Sequence, residues 1–301
     1  DVTDAKTLAH LLKYDSVFGK FDGTVQASSD GFRVDGSEVR VLSVRDPAAI
    51  PWSKYGVDIV VESTGLFTNR DAASKHMKGG ANKILISAPA KDPDITIVPG
   101  VNLDKYDPKA HNLVSLASCT TNCVTPLAKV INDSCTMKHG FMTTAHAYTN
   151  DQRIQDLPHH DLRRARAAAL SIIPTSTGAA IATTEVLPEL KGKLHGVALR
   201  VPVPDGSIVD LVAEVERDVT VDYVNQAFQK AATGPMRGVL EYSEEPLVSA
   251  DIIGNPHSAV FDSLLTMVLE NRLVKVFAWY DNEWGYSNRL VDMVQTMSKH
   301  L

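Results

Sequence analysis

The sequence predicts an α/β unit built on a parallel sheet, followed by an α+β unit with a large, mostly antiparallel sheet. Three observations carry this expectation. Between residues 57 and 87, two continuous apolar strands enclose a loop and a helical pattern, the rhythm of a parallel sheet. From about Thr144 onward, strands come in runs instead of alternating with helices. The last stretch, 287–301, reads as a helix that returns to the first unit.

Taken in order, Thr3 is placed to cap a helix through Ala5, Leu8, Ala9, Leu11 and Leu12. Phe32 to Val34, Asp35-Gly36 and Val39 to Val44 read as a hairpin with a tight turn. Val57 to Glu62 and Lys83 to Ser87 are buried strands, with a helical segment over Arg70 to Met77 between them. Ligands bind at the carboxyl ends of strands in such sheets, which singles out Ser63-Thr64-Gly65 and Ser87-Ala88-Pro89. A plain strand-to-helix turn explains either stretch about as well. Asp151 to Arg166 is long, polar and Arg-rich, which suits a functional loop. Its Arg163-Arg164-Ala165-Arg166 run reads as a solvated face, an interface set or an anion site. Gly196 to Val203 and Ile208 to Val215 are long strands, with Pro204-Asp205-Gly206-Ser207 as a tight turn between them. Leu264 to Val268 and Leu273 to Tyr280 extend an antiparallel sheet, and Asp222 to Ala232 reads as a helix.

The chain is organised around Ser118-Cys119-Thr120-Thr121-Asn122-Cys123. An apolar strand, Leu113 to Ala117, precedes it, and a helical pattern with Val124, Leu127, Ala128, Val130 and Ile131 follows. Pro126 is expected to kink that helix near its start. A thiol at a helix N-terminus meets free N–H groups and the positive end of the dipole, and both favour a thiolate. For Cys123 and Cys135 the commoner fate of cysteine, a small core hydrophobe, comes first. His146 closes an apolar strand twenty-seven residues after Cys119. A lone histidine there is more often structural, but paired with Cys119 it can stabilise a thiolate and move protons.

Ser118 to Cys123, His146-Ala147-Tyr148-Thr149-Asn150-Asp151-Gln152 and Asp161 to Ala169 resemble the phosphorylating glyceraldehyde-3-phosphate dehydrogenases, bacterial type. So do Pro174 to Ala180, Leu199 to Pro202 and Trp279 to Tyr286, and the resemblance runs through essentially all 301 residues. It implies a Rossmann-like NAD domain over 1–118, completed by the helix 287–301, and a catalytic domain over 119–286. It implies that Cys119 attacks the aldehyde, that His146 takes the proton as hydride leaves for NAD, and that inorganic phosphate displaces the acyl group from sulfur. Ser118, Thr177 and Arg164 map onto the pocket for the attacking phosphate. Thr149 and Arg200 map onto the pocket for the substrate's own phosphate, with Thr120 and Gly178 beside the two pockets. Asp1, Arg45, Ser87 and Asn282 match cofactor contacts, and Leu157-Pro158 resembles the NAD-preferring version of the loop. A homotetramer is the usual assembly of the family.

The chain departs from the family in several places. Leu116 stands where Asn is common, Ala147 where Ser is frequent, and Pro204-Asp205-Gly206-Ser207 differs from the commoner form. No G-x-G-x-x-G occurs, and Asp1 to Ala5 resembles the segment that follows the second strand of the family's opening βαβ unit. Two other readings therefore stand beside the first. One is an erythrose-4-phosphate dehydrogenase, against which Tyr148-Thr149-Asn150 speaks; the other is a non-catalytic homologue with impaired NAD binding. Composition narrows the classes further. A net charge of −6 gives no push toward nucleic acid or anionic membrane. No apolar run is long enough to span a bilayer, and no signal-peptide pattern is seen. Three cysteines without a C-x-x-C pair suit a reducing cytoplasm and offer no zinc ligand set.

Overall fold

The computed structural model describes residues 2–301. Asp1, expected at a cofactor ribose, lies outside the described residues. The first helix is Ala5–Lys13, and its cap is Asp4, not Thr3: the Asp4 carboxylate accepts from the Thr7 N–H at 3.0 Å. The hairpin forms from Gly31–Val34 and Ser37–Arg40, so its second strand ends four residues before the expected Val44. Asp35 and Gly36 both sit at positive φ, 48° and 85°, which a tight two-residue turn of this hand requires.

Ile59–Glu62 and Lys83–Ile86 pair in parallel, and Leu113–Ser115 joins Lys83–Ile86 on its other side, also in parallel. Ile95–Thr96 completes this four-stranded sheet. The expected helix at 70–77 is two short pieces, Arg70–Ala73 and Lys75–Lys78, that meet at Ser74. The two central strands, Lys83–Ile86 and Leu113–Ser115, are buried on both faces, as parallel strands covered on both sides must be. One face is closed by the last helix, Trp284–Ser298, whose Met293 and Met297 pack on Leu85, Ile97, Val114 and Leu116. Leu116, one of the departures, is thus a core residue here.

The second sheet has seven strands. Their order is Ile173–Ser176, Leu194–Val201, Met137–Ala147, Ser207–Val215, Leu273–Tyr280, Ala259–Leu269 and Leu240–Ser243. Four of its pairings are antiparallel and two are parallel, which matches the expected character. The turn expected at 204–207 is different. Leu194–Val201 and Ser207–Val215 do not pair with each other, because Met137–Ala147 lies between them. Pro204-Asp205-Gly206 therefore steps across the end of the histidine-bearing strand. Gly206 is required there: its φ is +83°, and a Cβ would meet the Ser249 carbonyl at 2.3 Å.

Helix Cys119–Cys135 lies against this sheet. Val124, Leu127, Ala128 and Ile131 pack with Val209, Leu211, Ala213 and Val215, the inward residues of an alternating strand. Pro126 is accommodated inside the helix. Cys123 and Cys135 are buried core residues, as expected.

Candidate active site

Helix Cys119–Cys135 begins at a constrained turn. Ala117 has φ +53°, a left-handed conformation that costs a non-glycine residue of the order of 1–3 kcal/mol. Two hydrogen bonds hold it there. The Ala117 N–H donates to Ser115 Oγ at 3.0 Å, and the Tyr286 hydroxyl donates to the Ala117 carbonyl at 3.0 Å. Ser118 is the N-cap: its Oγ accepts from the Thr121 N–H at 3.1 Å. Cys119 is therefore the first helical residue.

Cys119 Sγ lies 3.4 Å from His146 Nε2. His146 reaches this position as the penultimate residue of its strand, and its neighbour in parallel register is Arg200. Arg200 Nη1 lies 2.5 Å from His146 Nδ1 and 3.1 Å from the Ala147 carbonyl. Beneath the pair, Tyr280 turns its ring edge toward the imidazole, with ring centroids 5.9 Å apart at 75°. The Tyr280 hydroxyl joins those of Thr120 and Thr144, each at 2.9 Å, and Thr144 Oγ1 donates onward to the Ile208 carbonyl at 3.0 Å. Asn282 is tied in from the far side: Ser207 Oγ donates to Asn282 Oδ1 at 2.7 Å and accepts from the Ala147 N–H at 3.0 Å.

The electrostatics correct one expectation. Burial pushes the Cys119 thiol up, against the Arg200 charge and the Thr120 N–H, which favour the thiolate. The helix start does favour thiolate, but loss of water outweighs it. Burial also pushes His146 down to about 4, and the Arg200 charge adds to this. His146 is consequently a neutral imidazole at pH 7, a proton acceptor in waiting and not the cationic partner of a thiolate.

The remaining predicted residues fall into two further groups. In the Arg-rich loop, Arg164 Nε donates to Thr175 Oγ1 at 2.7 Å, and its guanidinium pairs with Asp151 and, at 3.5 Å, with Asp161. Burial opposes ionisation of Asp151, but Arg164 and His159 outweigh it and hold the carboxyl below its ordinary range. Arg166 pairs with Asp156 at 2.9 Å. The Thr149 N–H donates to Gln152 Oε1 at 2.7 Å, and Thr149 itself is exposed. Gly178 caps helix Ala179–Val186, and Thr177 Oγ1 accepts from the Ala179 N–H at 3.2 Å. The charges of Arg164 and Asp151 reach Arg200, which links that pair to the Cys119 site.

The second group lies at the carboxyl ends of the parallel strands. Arg45, Trp52, Glu62, Ser63, Thr64 and Phe67 line a cleft of about 690 Å³. Glu62 shapes it by accepting from the Thr64 N–H at 2.8 Å and by bonding His76 Nε2 at 2.9 Å. Ser87 follows the neighbouring strand, with its N–H on the Glu62 carbonyl at 3.0 Å. The polar turn and the aromatic walls suit the adenosine half of a dinucleotide.

Sequence reasoning gave no role to Ala117, Tyr280 or Ser207. Tyr280 carried a signal, because a tyrosine closing the apolar run Val276-Phe277-Ala278-Trp279 needs a partner for its hydroxyl. Ala117 carried none, since its role is a backbone angle.

Comparison with known proteins accords with this geometry. Residues 118–282 match the family described as glyceraldehyde 3-phosphate dehydrogenase, C-terminal domain, and residues 1–70 match its NAD binding domain. The chain is 60% identical over 301 residues to glyceraldehyde-3-phosphate dehydrogenase 2 of Streptomyces avermitilis, covering 100% of this chain and 90% of that protein. It is 61% identical over 293 residues to the glyceraldehyde-3-phosphate dehydrogenase of Geobacillus stearothermophilus, covering 97% and 88%. Against glyceraldehyde-3-phosphate dehydrogenase 1 of Bacillus subtilis the identity is 59% over 299 residues, covering 99% and 89%.

Proposed function

Since the chain belongs to the glyceraldehyde 3-phosphate dehydrogenase family, we propose a division of labour among its side chains for that chemistry. The protein is an NAD-dependent oxidoreductase of glycolysis that converts glyceraldehyde 3-phosphate to 1,3-bisphosphoglycerate. Neither the erythrose 4-phosphate reading nor the non-catalytic one is favoured beside relatives of this identity.

Cys119 is the nucleophile. Its sulfur adds to the aldehyde carbon and its proton passes to His146 Nε2, 3.4 Å away. N–H groups at the helix start stabilise the oxygen that becomes negative. NAD, when bound, supplies the acceptor for the hydride. His146 hands the proton it took from Cys119 to that oxygen, which becomes a hydroxyl, and takes it back as the carbon is oxidised, which leaves the acyl group on sulfur as a thioester. A neutral imidazole is the right form for this step. Inorganic phosphate then attacks the thioester, and Cys119 leaves as thiolate. Keeping the acyl group on sulfur conserves the oxidation energy that hydrolysis would dissipate.

Ser118, Thr177 and Arg164 hold the attacking phosphate, with Thr120 and Gly178 beside them. Thr149 and Arg200 hold the phosphate of the substrate. Hydroxyls and a guanidinium are the right donors for a dianion. Arg45 would hold the cofactor on the adenine side and Ser87 and Asn282 on the nicotinamide side, with Asp1 assigned to a ribose. The NAD domain spans 1–118 with 287–301, and the catalytic domain spans 119–286. Phe141, Val197 and Leu264 stand exposed on the large sheet, which supports an assembly of four copies through that face. Among the described residues no helix is long and apolar enough to cross a membrane; we assign the protein to the cytoplasm on its glycolytic role.

The 3.4 Å approach of Cys119 to His146 carries the mechanism. Its test is NADH formation from glyceraldehyde 3-phosphate and NAD, with and without inorganic phosphate. Phosphate-dependent turnover that disappears in Cys119→Ser is the expected result. Turnover retained in Cys119→Ser overturns the assignment.

A further inference from the structure

Two buried histidines make an informative contrast. His76 accepts at Nδ1 from the Trp52 indole N–H, 3.2 Å away, and lies 2.9 Å from Glu62 through Nε2. Indole only donates and carboxylate only accepts, so a single tautomer satisfies both partners. His146 instead has two competing partners at one ring nitrogen. Its Nδ1 lies 2.7 Å from the Ala147 carbonyl, which only accepts, and 2.5 Å from Arg200 Nη1, which only donates. One ring nitrogen cannot serve both.

The two alternatives differ at the reacting atom. When Nδ1–H donates to the Ala147 carbonyl, Nε2 presents a lone pair to Cys119 Sγ and can take a proton. When Arg200 donates to Nδ1, Nε2 carries hydrogen and faces the sulfur as a donor, with no capacity as a base. Arg200 is held in that second position by Nη1 alone, which reaches both His146 Nδ1 and the Ala147 carbonyl. Its buried Nε–H has no acceptor. No ion pair among the described residues holds it, and the nearby Asp151 is engaged with Arg164 and His159. A half-buried guanidinium in this condition gives up its seat readily to an anion.

We propose that Arg200 is a displaceable cap on His146 Nδ1, and that an anion bound by Arg200 releases the imidazole to become the base that faces Cys119. On release, Nδ1 takes a proton from water and donates it to the Ala147 carbonyl, while Nε2 yields its proton to water. The charge of the ring is unchanged. This rests on Arg200 as a ligand of the substrate's phosphate. It makes that phosphate a trigger as well as an anchor, so an aldehyde without one meets a histidine that is not yet a base.

The test is nitrogen NMR of the 15N-labelled protein. Long-range proton–nitrogen correlations report the His146 tautomer, and His146→Asn identifies the signals by their loss. Glycerol 3-phosphate, which carries the phosphate but no carbonyl, is the probe. The expected result is an Nε2–H tautomer in the free protein that becomes Nδ1–H at saturating probe, with a parallel shift of the Arg200 Nε–H signal. Arg200→Met is expected to show the Nδ1–H tautomer with or without probe. A shifted Arg200 signal with an unchanged His146 tautomer overturns the cap, and leaves the dehydrogenase assignment to its own Cys119→Ser test. An unmoved Arg200 signal at saturating probe removes the anion site and the cap together.

Discussion

Asp205 offers the sharpest quantitative test of the structure beneath the site. It is buried, with 2% exposure, in the crossover that precedes the Ser207 strand. One carboxyl oxygen accepts from the Gly206 N–H at 2.8 Å, while the other has no donor and meets the side chain of Asp281. Asp281 is already an acceptor for the N–H groups of Gly254, Glu283 and Trp284, at 2.7, 2.9 and 2.6 Å. Two carboxyl groups can bond only if a proton lies between them. Burial first, then the charges of Asp281 and Glu283, push Asp205 up to about 7 from an ordinary 3.8. The folded protein therefore retains a proton that the unfolded chain releases. The resulting stabilisation is complete below pH 3.8 and is lost as the pH rises through 7. About three pK units at ~1.36 kcal/mol each sets an upper bound near ~4 kcal/mol, and sharing the proton with Asp281 lowers it to roughly 2–4 kcal/mol. Asp205→Asn retains an acceptor for Gly206, gives Asp281 a permanent N–H donor and cannot ionise. Calorimetric melting of both proteins between pH 5 and 8 isolates the effect, since other titrating groups cancel in the difference. About two of the three units fall between pH 5 and 7, so the variant should gain on wild type by roughly 3–5 °C between pH 5 and 8 at about 2 °C per kcal/mol. A difference that is constant with pH, or a variant that melts lower at pH 8, would refute the reasoning.

Two further substitutions probe the site from different sides. Tyr280→Phe removes the hydroxyl shared by Thr120 and Thr144, and should lower stability by about 1–3 kcal/mol, read as a fall in Tm; an unchanged Tm would mean the hydroxyl chain contributes nothing. Arg164→Ala removes a charge-assisted donor of about 1.5–3 kcal/mol, so KM for inorganic phosphate should rise tenfold or more, with a smaller rise for glyceraldehyde 3-phosphate. Equal rises for both would contradict the division into two phosphate pockets.

The sequence was most legible where one periodicity governs one element. The parallel pair Ile59–Glu62 and Lys83–Ile86, the alternating strand Ser207–Val215 and the return of the last helix all follow from apolar spacing. It was least legible where a third element decides the outcome. Pro204 to Ser207 has the residues of a tight turn, yet Met137–Ala147 is inserted between the flanking strands and turns the connection into a crossover. Local signals cannot report an insertion from sixty residues upstream. Among site residues, Cys119 and His146 could be posed as a pair from residue types and placement. Thr149, Thr177 and Arg164 could not, because their hydroxyls and charge are also what a turn or a solvated loop would use. The family resemblance supplied them.

The direction of the Cys119 shift shows how far a local argument reaches. The helix start does supply the N–H groups that favour a thiolate, and Thr120 acts in that sense. Those donors act on the sulfur, but folding also strips water from it. Here the removal dominates, and the same removal keeps His146 neutral. The two effects belong together. A half-buried thiol beside a buried neutral imidazole gives a pair in which neither member carries charge at rest, next to an Arg200 guanidinium that has no ion-pair partner among the described residues. The thiolate then forms when its proton has Nε2 to go to, and whether Nε2 is open depends on what Nδ1 is doing. Reactivity at Cys119 is therefore set less by the helix it starts than by the two groups that compete for the far side of one imidazole, the Ala147 carbonyl and Arg200.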